Sequence, residues 1–247
     1  MICAVMQPTY MPWLGYFNMI QQVDVFVFLD SVQVEKRSWQ VRNRIKGPDG
    51  AVMLTIPIKA GNSLRICDAQ INNEHDWKRK HLRALECYYS NAPAFQEVYP
   101  AIKFLYENTD TSVGYFNIKV ISSLCKTMGI NTNLCLSSEM KAVGTKDDLL
   151  ADICLKIGAD TYLSAQGSAN YINRNSLGGA FPKNNIDLMY FGYQHPVYAQ
   201  QFGAFLPFMG IYDLLFNVGF ESASKIIWSG KKPSIPYTEF VGGGENL

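Results

Sequence analysis

Two unbroken apolar runs, Ile2-Cys3-Ala4-Val5-Met6 and Val25-Phe26-Val27-Phe28-Leu29, bracket a segment in which Trp13, Phe17 and Ile20 recur at helical spacing. Runs of that length without polar alternation suit parallel strands covered on both faces. The chain therefore opens as a β-α-β unit. Its helix is expected over 12–22, with Trp13, Phe17 and Ile20 toward the sheet and Pro12 in the first turn, where a missing N–H is no loss. The pattern then changes. Extended residues 39–46 place Trp39, Val41, Asn43 and Ile45 on one face and Gln40, Arg42, Arg44 and Lys46 on the other, which is cationic. Pro48-Asp49-Gly50 signals a turn into a strand over 52–57, followed by a strand-like stretch over 64–71. Three helices follow, near 75–89, 93–107 and 111–128, and make a helical insertion of about 72–130. From Asn133 the α/β rhythm returns. A strand at 134–136 leads to a helix with Thr145 as N-cap and Asp147 and Asp148 in its first turn, burying Leu149, Leu150, Ile153 and Ile157. Strands at 161–163 and 186–191 and a short helix at 212–217 complete the series. The expected fold is a Rossmann-like α/β parallel sheet with helices on both faces, in one domain over 1–230. Residues 231–247 are expected to be a mobile tail.

Lys and Arg number 22 against 21 Asp and Glu, a net charge of +1, which excludes a protein built to coat DNA or an anionic membrane. Any basic site is local. Six cysteines, at 3, 67, 87, 125, 135 and 154, form no C-x-x-C and suit a reduced compartment. Cys3, Cys135 and Cys154 lie in apolar runs and read as core. With three histidines, no structural metal is expected. No charged segment precedes an apolar stretch at the start, so a cytoplasmic protein without a membrane span is expected. The aromatic share of 13% suits either a pocket for flat ligands or simply the core.

Six places invite chemistry. At the strand-to-helix turn, Gln7, Tyr10, Trp13 and Tyr16 surround a helix N-terminus that attracts anions, and Gly15 permits close approach of a ligand or strand; a well-packed turn is the plain alternative. Arg42, Arg44 and Lys46, with Lys36 and Arg37 before them, suit phosphate or carboxylate, against the alternative of a solvated edge strand. Asn43, on the apolar face, requires partners. Asp30 sits just past the second strand, at the carboxyl edge where open α/β sheets bind ligands. His81, on one helix face with Trp77, and His195, with Gln200 and Asp213 nearby in sequence, are the candidate bases or satisfied structural imidazoles. The loop at Ser164, Gln166 and Gly167 ends a strand and is a further contact candidate.

The motifs at 7–16, at Asp30 and Gln33, at 38–46, at His195-Pro196, Tyr198 and Gln200, and at 213–217 together resemble the WbqC-like family. The resemblance spans nearly the whole chain to Gly230. It implies a role in O-antigen and other surface-polysaccharide assembly, with transfer of a glycyl or other aminoacyl group to a nucleotide-linked amino sugar. It adds Gln33, Trp39, Tyr198, Gln200, Asp213 and Asn217 to the substrate-binding set. The sequence departs from the family pattern at 164–167 and at Met209-Gly210. The opening is also similar to that of H-x-G-H nucleotidyltransferases, with Trp13 and Tyr16 at the two histidine positions. Neither ring becomes cationic, so phosphate charge falls to Arg42, Arg44 or Lys46. The implied donor is an aminoacyl-adenylate made from ATP with Mg2+, a thioester, or an aminoacyl-tRNA, with tRNA only as acyl donor. Two other readings stand beside it: a nucleotidyltransferase with a divalent metal held by Asp30, and a non-catalytic subunit of a polysaccharide-assembly complex.

Overall fold

Strand β1 (Ile2–Met6) lies at the centre of a six-stranded sheet. In this computed structural model, which describes residues 1–59, 64–108 and 111–241, β1 pairs in parallel with β2 (Val25–Phe28) on one side. On its other side it pairs in parallel with β6 (Thr161–Ser164). The sheet continues outward from β2 to β5 (Asn133–Leu136) and from β6 to β7 (Asp187–Tyr193), all parallel. Alternation then divides the molecule into two cores. Ala4, Phe26, Phe28 and Leu163 point to one face and Cys3, Val5, Val25, Val27, Tyr162 and Leu188 to the other. Each fully buried phenylalanine contributes roughly 1.5–3 kcal/mol.

The first face is covered by α1 (Leu14–Gln21), by α7 (Ile211–Ser229) and by the helical insertion α2 (Trp77–Tyr89), α3 (Phe95–Glu107) and α4 (Val113–Thr127). The second is covered by α5 (Asp147–Ile157) and the single turn α6 (Ala169–Ile172). Helix α1 begins two residues later than expected, so Pro12 lies outside it. Seven of its eight residues are buried between the sheet and α7, to which Asn18 Nδ2 donates at the Ile227 carbonyl, 2.7 Å away. Helix α5 is preceded by Lys146 with φ 54° and takes no side-chain cap, so Thr145 is not its N-cap. Asp147 instead accepts from Ala180 N at 2.9 Å, tying the helix start to a neighbouring loop.

A separate antiparallel hairpin, β3 (Arg42–Gly47) and β4 (Gly50–Thr55), turns through the expected Pro48-Asp49. The strand expected over 64–71 does not form. Arg65, Ile71 and Gln70 make single bridges to Gln33, Ile58 and Ser112, and between them Asp68 and Ala69 donate back to the Arg65 carbonyl in a turn. Three different neighbours cannot extend one ladder. At the other end, residues 231–236, expected to be mobile, form β8 (Lys231–Pro236), antiparallel to β7 and closing that sheet edge. Residues 242–247 of that expected tail lie outside the described residues.

The short helix expected over 212–217 is the first half of α7. At Gly219 (φ 77°, ψ 172°) the helix breaks and restarts. The restarted half has an orphan amide at Phe220, which donates to Glu97 Oε1 of α3 at 3.3 Å. Glu97→Ala is therefore expected to cost about 0.5–2 kcal/mol, the range for a lost N-cap acceptor, and Glu97→Gln less. Urea unfolding of both variants checks this; equal losses would show that the carboxylate charge, and not the acceptor oxygen that glutamine keeps, carries the effect.

Candidate functional site at the carboxyl edge

Leaving β1 the chain runs to β2, whereas β6 on its other side opens toward β7, so the β1/β6 boundary is the topological switch point where loops diverge and ligands bind. The opening loop after β1 and the arginine segment meet here. Tyr10 N donates to the Trp39 carbonyl at 2.8 Å, and Gln40 Nε2 donates to Gln7 Oε1 at 2.8 Å. Asn43 finds the partners its burial demands: its Nδ2 donates to the Tyr10 carbonyl at 3.0 Å and the Met11 carbonyl at 2.7 Å. Asn117 of α4 joins them, donating to the Pro8 carbonyl at 3.2 Å and the Gln40 carbonyl at 2.7 Å. Asn117 was legible only as a lone amide on the apolar face of its helix. Gly210 N donates to the Arg44 carbonyl at 2.8 Å, and a Cβ on Gly210 would lie 2.9 Å from the Met11 carbonyl oxygen, so only glycine lets the segments close.

The expected cationic face divides. Gln40 and Lys46 are buried, Lys46 because its Nζ donates to the Ala204 carbonyl at 2.6 Å beneath the 194–210 segment. Arg42 and Arg44 remain half-exposed, and neither has a carboxylate within ion-pair distance among the described residues. Arg44 Nη2 donates to the Phe208 carbonyl at 3.2 Å, its guanidinium lies 5.4 Å from the Trp39 ring centroid, and its Nε is buried without an acceptor among the described residues. Trp39, expected on the apolar face, is 42% exposed. Lys36 and Arg37 lie exposed on the preceding turn.

Of the four side chains expected to line the turn, Gln7 and Trp13 stay partly accessible at the edge while Tyr10 and Tyr16 are core. The Tyr16 hydroxyl donates to the Gln7 carbonyl at 3.1 Å. Gly15 makes room for the Trp13 ring itself: a Cβ there would meet it at 2.1 Å. Trp13 stacks on His195 (6.3 Å, 14°) and meets the edges of Tyr193 and Phe208. The Phe208 amide donates to His195 Nε2 at 3.3 Å, so the ring proton sits on Nδ1, 2.8 Å from the Pro196 carbonyl. Burial pushes the His195 pKa down, partly offset by that carbonyl. The imidazole is neutral, with both nitrogens engaged. The Tyr193 hydroxyl, nearby, is buried without a hydrogen-bond partner among the described residues.

The remaining expected site residues lie elsewhere or are internally engaged. His81 is buried among Tyr10, Trp77 and Tyr106, its Nδ1 2.8 Å from the Tyr10 hydroxyl, and burial lowers its pKa to about 4. The Asp30 carboxylate accepts from Ser137 Oγ at 3.0 Å, Ser138 N at 2.9 Å and Ser138 Oγ at 2.7 Å, latching the end of β2 to the end of β5. Among the described residues no group of three or more His, Cys, Asp or Glu is placed to hold a metal ion. Asp213 is a buried hub that accepts from Tyr89, Tyr198 and Gln200, each at 2.7 Å. Asn217 Nδ2 donates to the Asp213 carbonyl at 2.7 Å. Ser164 is buried, Gln166 Nε2 donates to the Phe191 carbonyl at 3.0 Å, and Gly167 faces open space. Gln33 is exposed in its bridge to Arg65. The edge thus assembles Gln7, Trp13, Trp39, Arg42, Arg44 and His195.

A family model described as the WbqC-like protein family matches residues 7–225, a span that contains every side chain gathered at this edge. The chain belongs to that family. Among relatives of this WbqC-like chain, the uncharacterized protein Rv1507c of Mycobacterium tuberculosis is 34% identical over 223 residues, covering 89% of this chain and 94% of its own length. No solved structure matches the chain. No helix among the described residues is long and apolar enough to cross a membrane.

Proposed function

We propose that this edge binds a nucleotide-linked amino sugar and that the chain acts on it in surface-polysaccharide assembly, transferring a glycyl or other aminoacyl group. The reading is carried by one observation: at the switch point Arg42 and Arg44 are half-exposed with no carboxylate partner among the described residues, and the Arg44 guanidinium lies against an exposed tryptophan, Trp39. Uncompensated arginine forks suit the two phosphates, the open Trp39 ring suits the base, and the Gln7 amide suits sugar hydroxyls. In the reaction the sugar amine attacks the acyl carbonyl, a C–N bond forms, and the bond to the phosphate, ester or thiol leaving group breaks. The amine proton passes to His195, the imidazole at this edge. His81 sits in the aromatic core and serves the fold. Asp30, saturated by serine donors, lends no support to a nucleotidyltransferase that holds its own metal, so with ATP as donor the magnesium rides on the triphosphate.

The test is incubation with glycine and ATP, a glycyl thioester or glycyl-tRNA, together with a panel of nucleotide-linked amino sugars, read by mass spectrometry. A sugar product heavier by one glycyl residue is expected. Replacing Arg42 and Arg44 together with alanine is expected to weaken binding of the nucleotide sugar about 100-fold, as two charge-assisted hydrogen-bonding groups are lost. Tight Arg-dependent binding without product from any donor would instead favour a non-catalytic binding subunit, a reading that the engaged nitrogens of His195 support. Absence of binding would sink both.

A further inference from the structure

We infer that Phe208 is a plug on this site, and that a phosphate taking Arg44 lifts it and frees the imidazole of His195. The inference rests on the reading that the ligand's phosphate binds at Arg44. One peptide residue holds both groups: the Phe208 carbonyl accepts from Arg44 Nη2 at 3.2 Å, and its N–H donates to His195 Nε2 at 3.3 Å. The first bond is at the long end of the normal range and the second just beyond it. The ring completes the seal, 5.7 Å from Trp13 and 5.0 Å from His195, each edge-on.

Phe208 is also held in an unfavourable conformation. Its φ is 60°, the left-handed region that side chains other than glycine, asparagine and aspartate seldom occupy. The clamps on either side do not depend on it. Leu206 is fixed on one side, its N donating to Gln200 Oε1 at 2.8 Å and its carbonyl accepting from Gln200 Nε2 at 3.0 Å. Gly210 is fixed on the other by the Arg44 carbonyl. Rotation of Phe208 out of the left-handed region withdraws its carbonyl and its N–H together, while the clamps at 206 and 210 stay shut. A neutral carbonyl is a weak acceptor for a guanidinium beside a phosphate, which offers charged, bidentate oxygens. Anion binding thereby exposes the Nε2 lone pair that the attacking amine needs, and the base is uncovered only when substrate is present.

The test uses the full-length 15N-labelled protein and inorganic pyrophosphate as the probe. Saturating pyrophosphate is expected to move the His195 Nε2 resonance toward that of an unbonded imidazole nitrogen and to abolish exchange protection of the Phe208 amide. Phe208→Ala removes the ring contacts while keeping the left-handed strain. It is expected to bind pyrophosphate about 5- to 10-fold more tightly, because a closed state held by its two backbone bonds alone is less populated and competes less; a merely structural phenylalanine would weaken binding or leave it unchanged. If pyrophosphate binds in an Arg44-dependent way and the two signals stay put, the plug is overturned and the anion site stands. If neither pyrophosphate nor a nucleotide-linked sugar binds, the site and the plug fall together. The wild-type measurement decides the matter even if the variant fails to fold.

Discussion

Asp213→Ala is expected to lower stability by about 3–5 kcal/mol, the cost of breaking a buried charged network by removing one member. Asp213 is wholly buried, and its carboxylate takes two phenol hydroxyls and an amide from three separate segments. Truncation leaves the Tyr89 and Tyr198 hydroxyls without their acceptor, while Gln200 Nε2 keeps the Leu206 carbonyl, and it leaves the buried Lys46 ammonium without the negative charge that faces it. Asp213→Asn keeps an acceptor oxygen and removes a charge that burial disfavours, as the upward shift of this carboxyl shows. The asparagine variant is therefore expected to lose roughly half as much as alanine. Urea unfolding near neutral pH measures both; an alanine variant within about 1 kcal/mol of the parent would show that the donors find water instead. Because Gln200 links Asp213 to Leu206, the same variant also loosens the clamp beside the plug.

Acidification is expected to act mainly through His81. Burial holds its imidazole near pKa 4, below the ordinary 6.5. As pH falls, the unfolded chain takes up the proton first, so stability is complete above the ordinary value and is lost as pH drops from there through about 4. Between about pH 7 and about pH 4.5 the loss amounts to roughly 2–3 kcal/mol. His195, also shifted down by burial, adds loss of the same sign. Asp213 works the other way, since its raised carboxyl is protonated earlier in the folded state and contributes stability that is lost as pH rises. Comparing denaturation midpoints of the parent and His81→Gln across that range separates the terms. A glutamine variant with the parent's full pH dependence would move the effect away from this histidine.

The opening β-α-β unit, the three insertion helices and the return to α/β rhythm after Asn133 were all legible in the chain, because each is written in side chains two to four residues apart. The first half of α7 was legible too, but its restart beyond Gly219 was hidden because the acceptor that caps it is Glu97, more than a hundred positions away. The strand expected over 64–71 failed for a related reason. Apolar residues license a strand, but a ladder needs one continuous neighbour.

Alternation correctly sent Asn43 and Ile45 inward and Arg42 and Arg44 outward along β3, yet it misplaced Lys46 there and Trp39 and Gln40 just before it. Which faces are covered depends on a segment that arrives 158 residues later. At the switch point, sequence gathered the candidates and tertiary structure sorted them. Tyr10 and Tyr16 went to the core, Asp30 to a latch and His81 to an aromatic cluster, leaving two arginines, two tryptophans, Gln7 and His195 at the edge. Hydrophobic period is a local quantity, so composition and spacing alone settled the layers of this protein. Hydrogen-bond partners are chosen across the folded chain, as Arg44 and Phe208 are across 164 residues, so the accessibility of each charged group was decided only when those segments met.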